Sequence, residues 1–250
     1  MSSSLPILIV GASGRMGVTL RELAEQDERL TVAGLVDQGD DLGETIDRTG
    51  ARCVVDFSVL AQVGPTLSAC SQTHVPLVLG TTGLTSTDRG ALKAAGEVIP
   101  LVWAPNFSVG ANSLFVLLRE ATRLLGEGWD AEIVESHHRH KVDAPSGTAR
   151  RLAEVLVDSR EGDTAITVGR EGLVGPRAAE EVGISVVRGG DVVGEHEVRF
   201  LGDGEQVVLT HRATDRAIFA RGALRAARWL GTNEGRAPGV YDMIDVLSNP

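Results

Sequence analysis

The stretch Leu5-Pro-Ile-Leu-Ile-Val10-Gly11-Ala12-Ser13-Gly14-Arg15-Met16-Gly17 decides how the rest of the chain is read. Leu5–Val10 is a short apolar run of strand type, and helix-like patterning continues from Gly14 through roughly Gln26. Three glycines at this spacing permit a tight turn, close backbone approach to a pyrophosphate and close helix–strand packing. The helix start would present N–H groups and partial positive charge to the diphosphate. Such a site also needs an acid about 20 residues on, at the end of the second strand, to bind the ribose hydroxyls. Asp37 closes the run Leu30–Asp37 at that distance from Gly17. A purely structural glycine turn would account for the glycines but not for the acid.

Further short, β-branched-rich runs follow at Cys53–Phe57, Leu77–Gly80 and Val98–Trp103, with helix-compatible segments Val59–Ser71 and Ser86–Ala95 between them. Strands alternating with helices, without hairpin turns, imply a parallel sheet with right-handed crossovers, hence an α/β, Rossmann-like doubly wound domain. Gly80-Thr81-Thr82-Gly83 and Ala104-Pro105-Asn106-Phe107 end two of these strands, where ligands of open α/β sheets bind. After Pro105 the pattern changes. Phe107–Leu125 is one amphipathic stretch, Ala131–Ser136 reads as a strand, and a helix should start near Pro145–Ser146. Three strand-like runs, Ile184–Val187, Gly194–Leu201 and Gln206–Leu209, are separated by the hairpin-type turns Gly189-Gly190-Asp191 and Gly202-Asp203-Gly204. The second domain is therefore expected to be α+β with an open mixed sheet, largely antiparallel. Asp215–Leu230 is a final helix of the kind that packs back on the first domain. The expected division is 1–106 with 216–250 for the dinucleotide, and 107–215 for substrate and assembly.

With 34 acidic against 24 basic side chains the formal charge is −10, a poor balance for holding nucleic acid or an anionic membrane surface. Apolar residues make up 42%, an ordinary globular composition, and no apolar run approaches the length of a membrane span. The start, Met-Ser-Ser-Ser, has no leader-like pattern, and two cysteines, Cys53 and Cys70, lack metal-ligand spacing. A cytoplasmic location is expected. The cations comprise 22 arginines and only two lysines, Lys93 and Lys141, which draws attention to each lysine.

Lys141 lies in His137-His138-Arg139-His140-Lys141, which holds three of the six histidines. With Arg150 and Arg151 against Asp143 alone, the segment from His137 to Arg151 is a cationic island in an acidic chain, suited to an anionic small molecule. Ser146-Gly147-Thr148 then opens a helix whose amides form a second anion cradle. One carboxylate could sit there while His and Lys engage the other end and supply a proton, lysine being suited to donation when burial near other cations lowers its pKa. A zinc reading, with His138 and His140 on one face of a strand, lacks a nearby carboxylate or cysteine, so no metal is expected. A solvated basic turn is the remaining alternative.

These residues, with Gly80–Gly83, Ala104–Gly110, Glu135–Ala149, Arg188–Phe200, Thr210–Arg216 and Phe219–Leu230, strongly resemble the 4-hydroxy-tetrahydrodipicolinate reductase family. The segment Glu-Ser-His-His-Arg-His-Lys-Val-Asp-Ala-Pro-Ser-Gly-Thr-Ala is specific to it. The resemblance implies nicotinamide-dependent reduction of a cyclic dicarboxylate in the diaminopimelate–lysine pathway, with hydride reaching a ring carbon conjugated to an imine. It implies His137 and Lys141 as the catalytic pair, with Lys141 the better candidate for the acid. It further implies His138 as a carboxylate contact, Ser146, Gly147 and Thr148 as the cradle, and Arg15, Met16, Asp37, Gly80, Thr82, Ala104 and Phe107 at cofactor positions. A homotetramer built through the second domains is also implied. A dinucleotide sensor of the same fold without activity is the alternative, although a sensor needs no proton donor. Some relatives carry an acid followed by arginine after the second strand. Here the pair is Asp37-Gln38, followed by Gly39-Asp40-Asp41, so NADH is expected to be preferred, with NADPH also used.

Overall fold

The computed structural model describes residues 4–231 and 235–248. Met1–Ser3, on which the reading of the leader turned, lie outside them. The chain divides into two compact units, Met1–Val109 with Ala217–Pro250, and Gly110–Arg216. The elements of the first stretch are β1 (Leu5–Val10), α1 (Arg15–Glu25), β2 (Leu30–Val36), α2 (Leu42–Thr49), β3 (Cys53–Asp56), α3 (Leu60–Thr73), β4 (Leu77–Leu79), α4 (Ser86–Gly96) and β5 (Pro100–Trp103). There follow α5 (Val109–Leu125), β6 (Asp130–His137), α6 (Gly147–Asp158), β7 (Ala165–Val168), β8 (Glu181–Arg188), β9 (Gly194–Gly202) and β10 (Glu205–Ala213). The chain then rejoins the first unit through α7 (Ala217–Leu230), β11 (Gly239–Tyr241) and α8 (Met243–Ser248).

The first unit is a six-stranded sheet in the order β11-β5-β4-β3-β1-β2, every pair parallel. Helices cover both faces, so its strands are apolar on both sides rather than alternating. Ile7 and Ile9 of β1 join one layer with Leu20 of α1 and Leu224 of α7. Leu8 and Val10 join the other with Ile46, Leu67 and Leu92 of α2, α3 and α4. Helix α7 sits so close to the end of β5 that a Cβ on Gly222 would fall 1.7 Å from the Phe107 carbonyl oxygen. Four short elements, α2, β7, β11 and α8, are absent from the sequence reading; none exceeds 8 residues, too few to show a period.

The second unit holds a five-stranded sheet in the order β10-β9-β6-β8-β7. β9 pairs antiparallel with β10 and β6, whereas β8 pairs parallel with β6 and β7. The expectation of a largely antiparallel sheet is thus corrected to an even mixture. Asp203-Gly204 is a two-residue hairpin turn between β9 and β10, with Gly204 at φ +84°. Gly189-Gly190-Asp191 is not, because β8 and β9 lie on opposite sides of β6. Turn residues report that the chain reverses, and not which strand becomes the neighbour. One face of this sheet, with Ala131, Ile133, Val182, Ile184, Val198 and Phe200, packs on Leu114, Phe115, Leu118, Leu152 and Leu156 of α5 and α6. Among the described residues no helix is long and apolar enough to cross a membrane.

Candidate active site

In the first unit, the carboxyl ends of β1 to β5 lie along one edge of the parallel sheet. Gly11 follows β1 with φ +77°, and a Cβ there would approach Ser58 Cα to 2.9 Å. A Cβ on Gly17 would fall 2.2 Å from the Gly11 carbonyl, so both positions require glycine. Gly14 is the N-cap of α1 and offers no side-chain acceptor, and the first turn carries no acid. Helices α2 and α4, by contrast, are capped by Asp41 and Thr85. The start of α1 therefore keeps its N–H groups for an external anion, which fits a dinucleotide pyrophosphate. The chain leaves β1 towards β2 on one side and β3 on the other, making this the topological switch point of the sheet.

Asp37, just past β2, accepts from the Ser13 amide on both oxygens at 3.1 Å and from Ser13 Oγ at 3.0 Å. Its acceptor capacity is not exhausted, so ribose hydroxyls can still be received. Asp40 turns its carboxylate to the Asp37 amide and Asp41 caps α2, so both neighbouring acids serve the backbone. The Gly80 amide donates to the Asp56 carbonyl at 2.8 Å, and a Cβ on Gly80 would strike the Phe57 ring at 2.3 Å. The Thr81 carbonyl accepts from Trp103 Nε1 at 3.2 Å, and Thr82 lies in the same loop. Ala104 and Phe107 are buried, and the Phe107 ring leans on Phe57 at 5.4 Å between centroids, so these positions can offer a ligand main chain rather than side chains. Asn106 Oδ1 accepts from the Ser108 amide, closing the turn that begins at Pro105. Arg15 and Met16 open α1. Sequence reasoning missed Asp56, a fully buried acid at the end of β3 whose carboxyl pKa is pushed up by burial; it accepts from the Ser58 amide at 2.8 Å.

In the second unit the site grows out of the covered face of the sheet. Side chains alternate along a strand, so Glu135 and His137 share the face of Ile133, and the register sets Glu135 beside His196 and His137 beside Arg188. Glu135 is fully buried. Its Oε1 accepts from the Ser146 amide at 3.0 Å and Arg188 Nη2 at 2.8 Å; its Oε2 bonds His137 Nδ1 at 2.5 Å and Arg188 Nη1 at 2.9 Å. Burial opposes the Glu135 charge, but Arg188, the Ser146 amide and His137 outweigh it and hold its pKa below the usual carboxylate value. His137 is drawn down chiefly by burial, against the pull of Glu135, and so favours the neutral ring. His196 bonds Ser146 Oγ at 3.0 Å, and burial lowers its pKa to about 3.

Ser146 is the N-cap of α6: its Oγ accepts from the Ala149 amide at 3.2 Å. Both its amide and its hydroxyl thus serve the protein, and the helix is headed by the N–H groups of Gly147 and Thr148. Nothing lies within 4 Å of a Cβ placed on Gly147, which leaves room for a ligand at the cradle. Lys141 donates to Asp143 Oδ1 at 2.7 Å, so its nearest partner is a carboxylate and not the cations of the run. His138 shares a hydrogen bond with Arg216 at 3.3 Å. β6 ends at His137, so His138 and His140 lie past the strand, with ring centroids 6.3 Å apart, and the shared strand face that the zinc alternative required does not exist. Arg150 donates to the Pro145 and Ala144 carbonyls and keeps its charge, whereas Arg151 pairs with Glu154. Glu135, His137 and His196 do bring three possible ligand atoms within 4.8 Å of one another. However, the two carboxylate oxygens already accept four hydrogen bonds, about their full capacity, and a metal would have to displace Arg188. Sequence reasoning missed Glu135, Arg188 and His196 as site residues, because the alternation that unites them appears only once β6 is paired with β8 and β9.

Residues 5–107 match the family model for the N-terminus of dihydrodipicolinate reductase, and residues 110–247 the model for its C-terminus. The 4-hydroxy-tetrahydrodipicolinate reductase of Akkermansia muciniphila is 47% identical over 97% of this chain and 98% of its own. That of Thiobacillus denitrificans is 43% identical over 98% of each. In fold, the chain is similar to the dipicolinate-bound dihydrodipicolinate reductase of Paenisporosarcina sp. TG-14, with a TM-score of 0.76 at 24% identity over 96% of this chain and 97% of that one.

Proposed function

The chain belongs to the dihydrodipicolinate reductase family, and from that premise we propose how its residues divide the work of one reaction. It is a pyridine-nucleotide-dependent oxidoreductase that reduces 4-hydroxy-tetrahydrodipicolinate to tetrahydrodipicolinate in the diaminopimelate–lysine route. We assign residues 1–106 and 216–250 to the dinucleotide, and 107–215 to substrate binding and assembly.

When bound, the nicotinamide supplies a hydride from C4. Gly11–Gly17 receive the pyrophosphate and Asp37 the ribose, while Gly80–Thr82 and Ala104–Phe107 line the remaining strand ends. One substrate carboxylate docks on the helix start at Gly147 and Thr148, shaped by Ser146, and His138 contacts the substrate through a carboxylate. Hydride arriving on a ring carbon conjugated to an imine leaves electron density that must take up a proton. Lys141 donates it, its N–H bond breaking as the substrate bond forms, and Asp143 steadies the ammonium beforehand. His137, favouring the neutral ring, stands beside it as an acceptor. The observation that carries this reading is that β6 and α6 bring His137 and a helix N-terminus to a single buried carboxylate, with Lys141 on the turn between them, near enough for its charge to act on the His137 ring.

NADH is the preferred cofactor in this reading, with NADPH also used. Ser13 pins the Asp37 carboxylate beside the glycine loop, where it favours two ribose hydroxyls and repels a 2′-phosphate. The reading also includes a homotetramer and a reducing, cytoplasmic setting, in keeping with two buried free cysteines. To test the activity, the unstable substrate is generated in situ with the upstream synthase and the loss of NADH absorbance is followed with and without chelator. Turnover insensitive to chelator is expected; no turnover, or turnover abolished by chelator, would overturn the assignment.

A further inference from the structure

Glu135 has no part in the reaction as written above, yet it bonds His137, the Ser146 amide and Arg188 at once. A fully buried carboxylate is strongly disfavoured unless it is paired and hydrogen-bonded. Here the layer around it is apolar, with Ile133, Ile184 and Val198 on the same face. Arg188 offers a two-pronged guanidinium from the neighbouring strand, and the same Nη2 also donates to the Asp143 carbonyl at 2.8 Å. An ion pair alone would need only those two residues. The carboxylate instead spends its remaining positions on His137 Nδ1 and the Ser146 amide. One side chain thereby sets the imidazole, the first residue of the α6 cradle and, through Arg188, the turn that carries Lys141 and Asp143.

The bond to His137 also has a chemical sense. A carboxylate held ionised by Arg188 can only accept, so the ring must carry its proton on Nδ1 and expose the Nε2 lone pair. Nε2 lies next to Gly194, where a Cβ would come within 3.0 Å of it, so any larger residue there would crowd that nitrogen.

We propose that Glu135 is a positioning residue for the reductase: held by Arg188, it locks His137 in the Nδ1–H tautomer with Nε2 presented as an acceptor, and it anchors the start of the dicarboxylate cradle. This rests on the reading that His137 and the start of α6 receive the substrate.

The test begins with the native enzyme. Nitrogen-15 NMR of histidine-labelled protein, with the His137 signals identified by their loss in His137→Gln, should show a neutral Nδ1–H ring; an Nε2–H ring would overturn the proposal. In Glu135→Gln the side-chain amide can donate to Nδ1, so the ring should switch to Nε2–H. The kcat should then fall about a hundredfold or more, the scale of a lost acid–base contribution, with NADH affinity unchanged within about twofold. Dipicolinate should bind about tenfold more weakly as the Ser146 anchor loosens. A folded Glu135→Gln enzyme with native tautomer or near-native kcat would overturn the proposal. Should that variant not fold, Arg188→Lys keeps the charge but not the fork and should lower kcat about tenfold at constant NADH affinity; unchanged kcat would overturn it. A native enzyme that neither binds dipicolinate nor turns over removes the reading of the site as well, whereas one that does both while its His137 is Nε2–H removes this proposal alone.

Discussion

Lys141 projects from the turn after β6 on a unit that carries no part of the glycine loop, and its ammonium already has a carboxylate partner in Asp143. Lys141→Ala should therefore cut kcat by about a hundredfold to ten-thousandfold while NADH affinity, read by fluorescence titration, changes little. Near-normal kcat would pass the acid role to His137. Gln38 lies exposed beside Asp37, with no cation in the stretch that follows it to Asp41. Losing one charge-assisted phosphate contact is worth roughly 1.5–3 kcal/mol, so NADH should be favoured over NADPH by about ten- to a hundredfold in kcat/KM. Gln38→Arg should narrow that gap. Equal or better kcat/KM with NADPH in the unaltered enzyme at physiological salt would contradict the preference and point to Arg15 as the phosphate partner. Ser13 and Asp37 were both legible as candidates from spacing, but their mutual hydrogen bonds were not, because residues 24 apart meet only when β1 and β2 pair.

At the scale of elements, the helix starts differ in what they leave available. Asp41 and Thr85 cap α2 and α4, Ser146 caps α6 at Ala149, and α1 begins on a glycine with no side-chain cap. His196 on β9 braces the Ser146 cap, and this bond has a pH signature. Its pKa is near 3 in the fold and near the ordinary 6.5 when unfolded, so between these values the unfolded chain binds the extra proton. Stability is thus fully present above the unfolded value and is lost as pH falls through the window, by about 1.4 kcal/mol per pH unit from this group. His137, also lowered by burial, acts in the same direction. Urea unfolding at pH 7 and pH 5 should show the loss, and His196→Gln should flatten it. Equal slopes in the two proteins would assign the acid sensitivity to other groups.

Within the second unit, one face of the sheet carries exposed apolar side chains. Val187, Leu201 and Val208 lie on it, 50%, 36% and 42% exposed, whereas the opposite face is packed on α5 and α6. Half-exposed apolar side chains on a five-stranded sheet suit association with further copies of the chain. Sedimentation velocity should report a tetramer, and the double substitution Val187→Lys with Val208→Lys should shift it to smaller species while each chain stays folded. A native enzyme that sediments as a monomer would remove the homotetramer from the proposed function.

Local chemistry alone determined a good deal of this protein. The α/β class, the glycine loop, Asp37 at the end of β2 and the histidine–lysine turn all depend on residues close in sequence, whose spacing is set by the periods of helix and strand. The segment from Glu135 to Ala149 was readable by its resemblance to a known family and not by its spacing. Tertiary structure decided the rest. Which strand β6 pairs with is a contest among distant segments, so the insertion of β6 between β8 and β9 escaped turn chemistry. That insertion sets His196 and Arg188 on either side of Glu135. Burial then made Glu135 a carboxylate that must be fully hydrogen-bonded, and its partners became the ring, the helix start and the turn of the site. A sequence records which groups are present, but their protonation and direction follow from desolvation and from neighbours that only the folded sheet supplies.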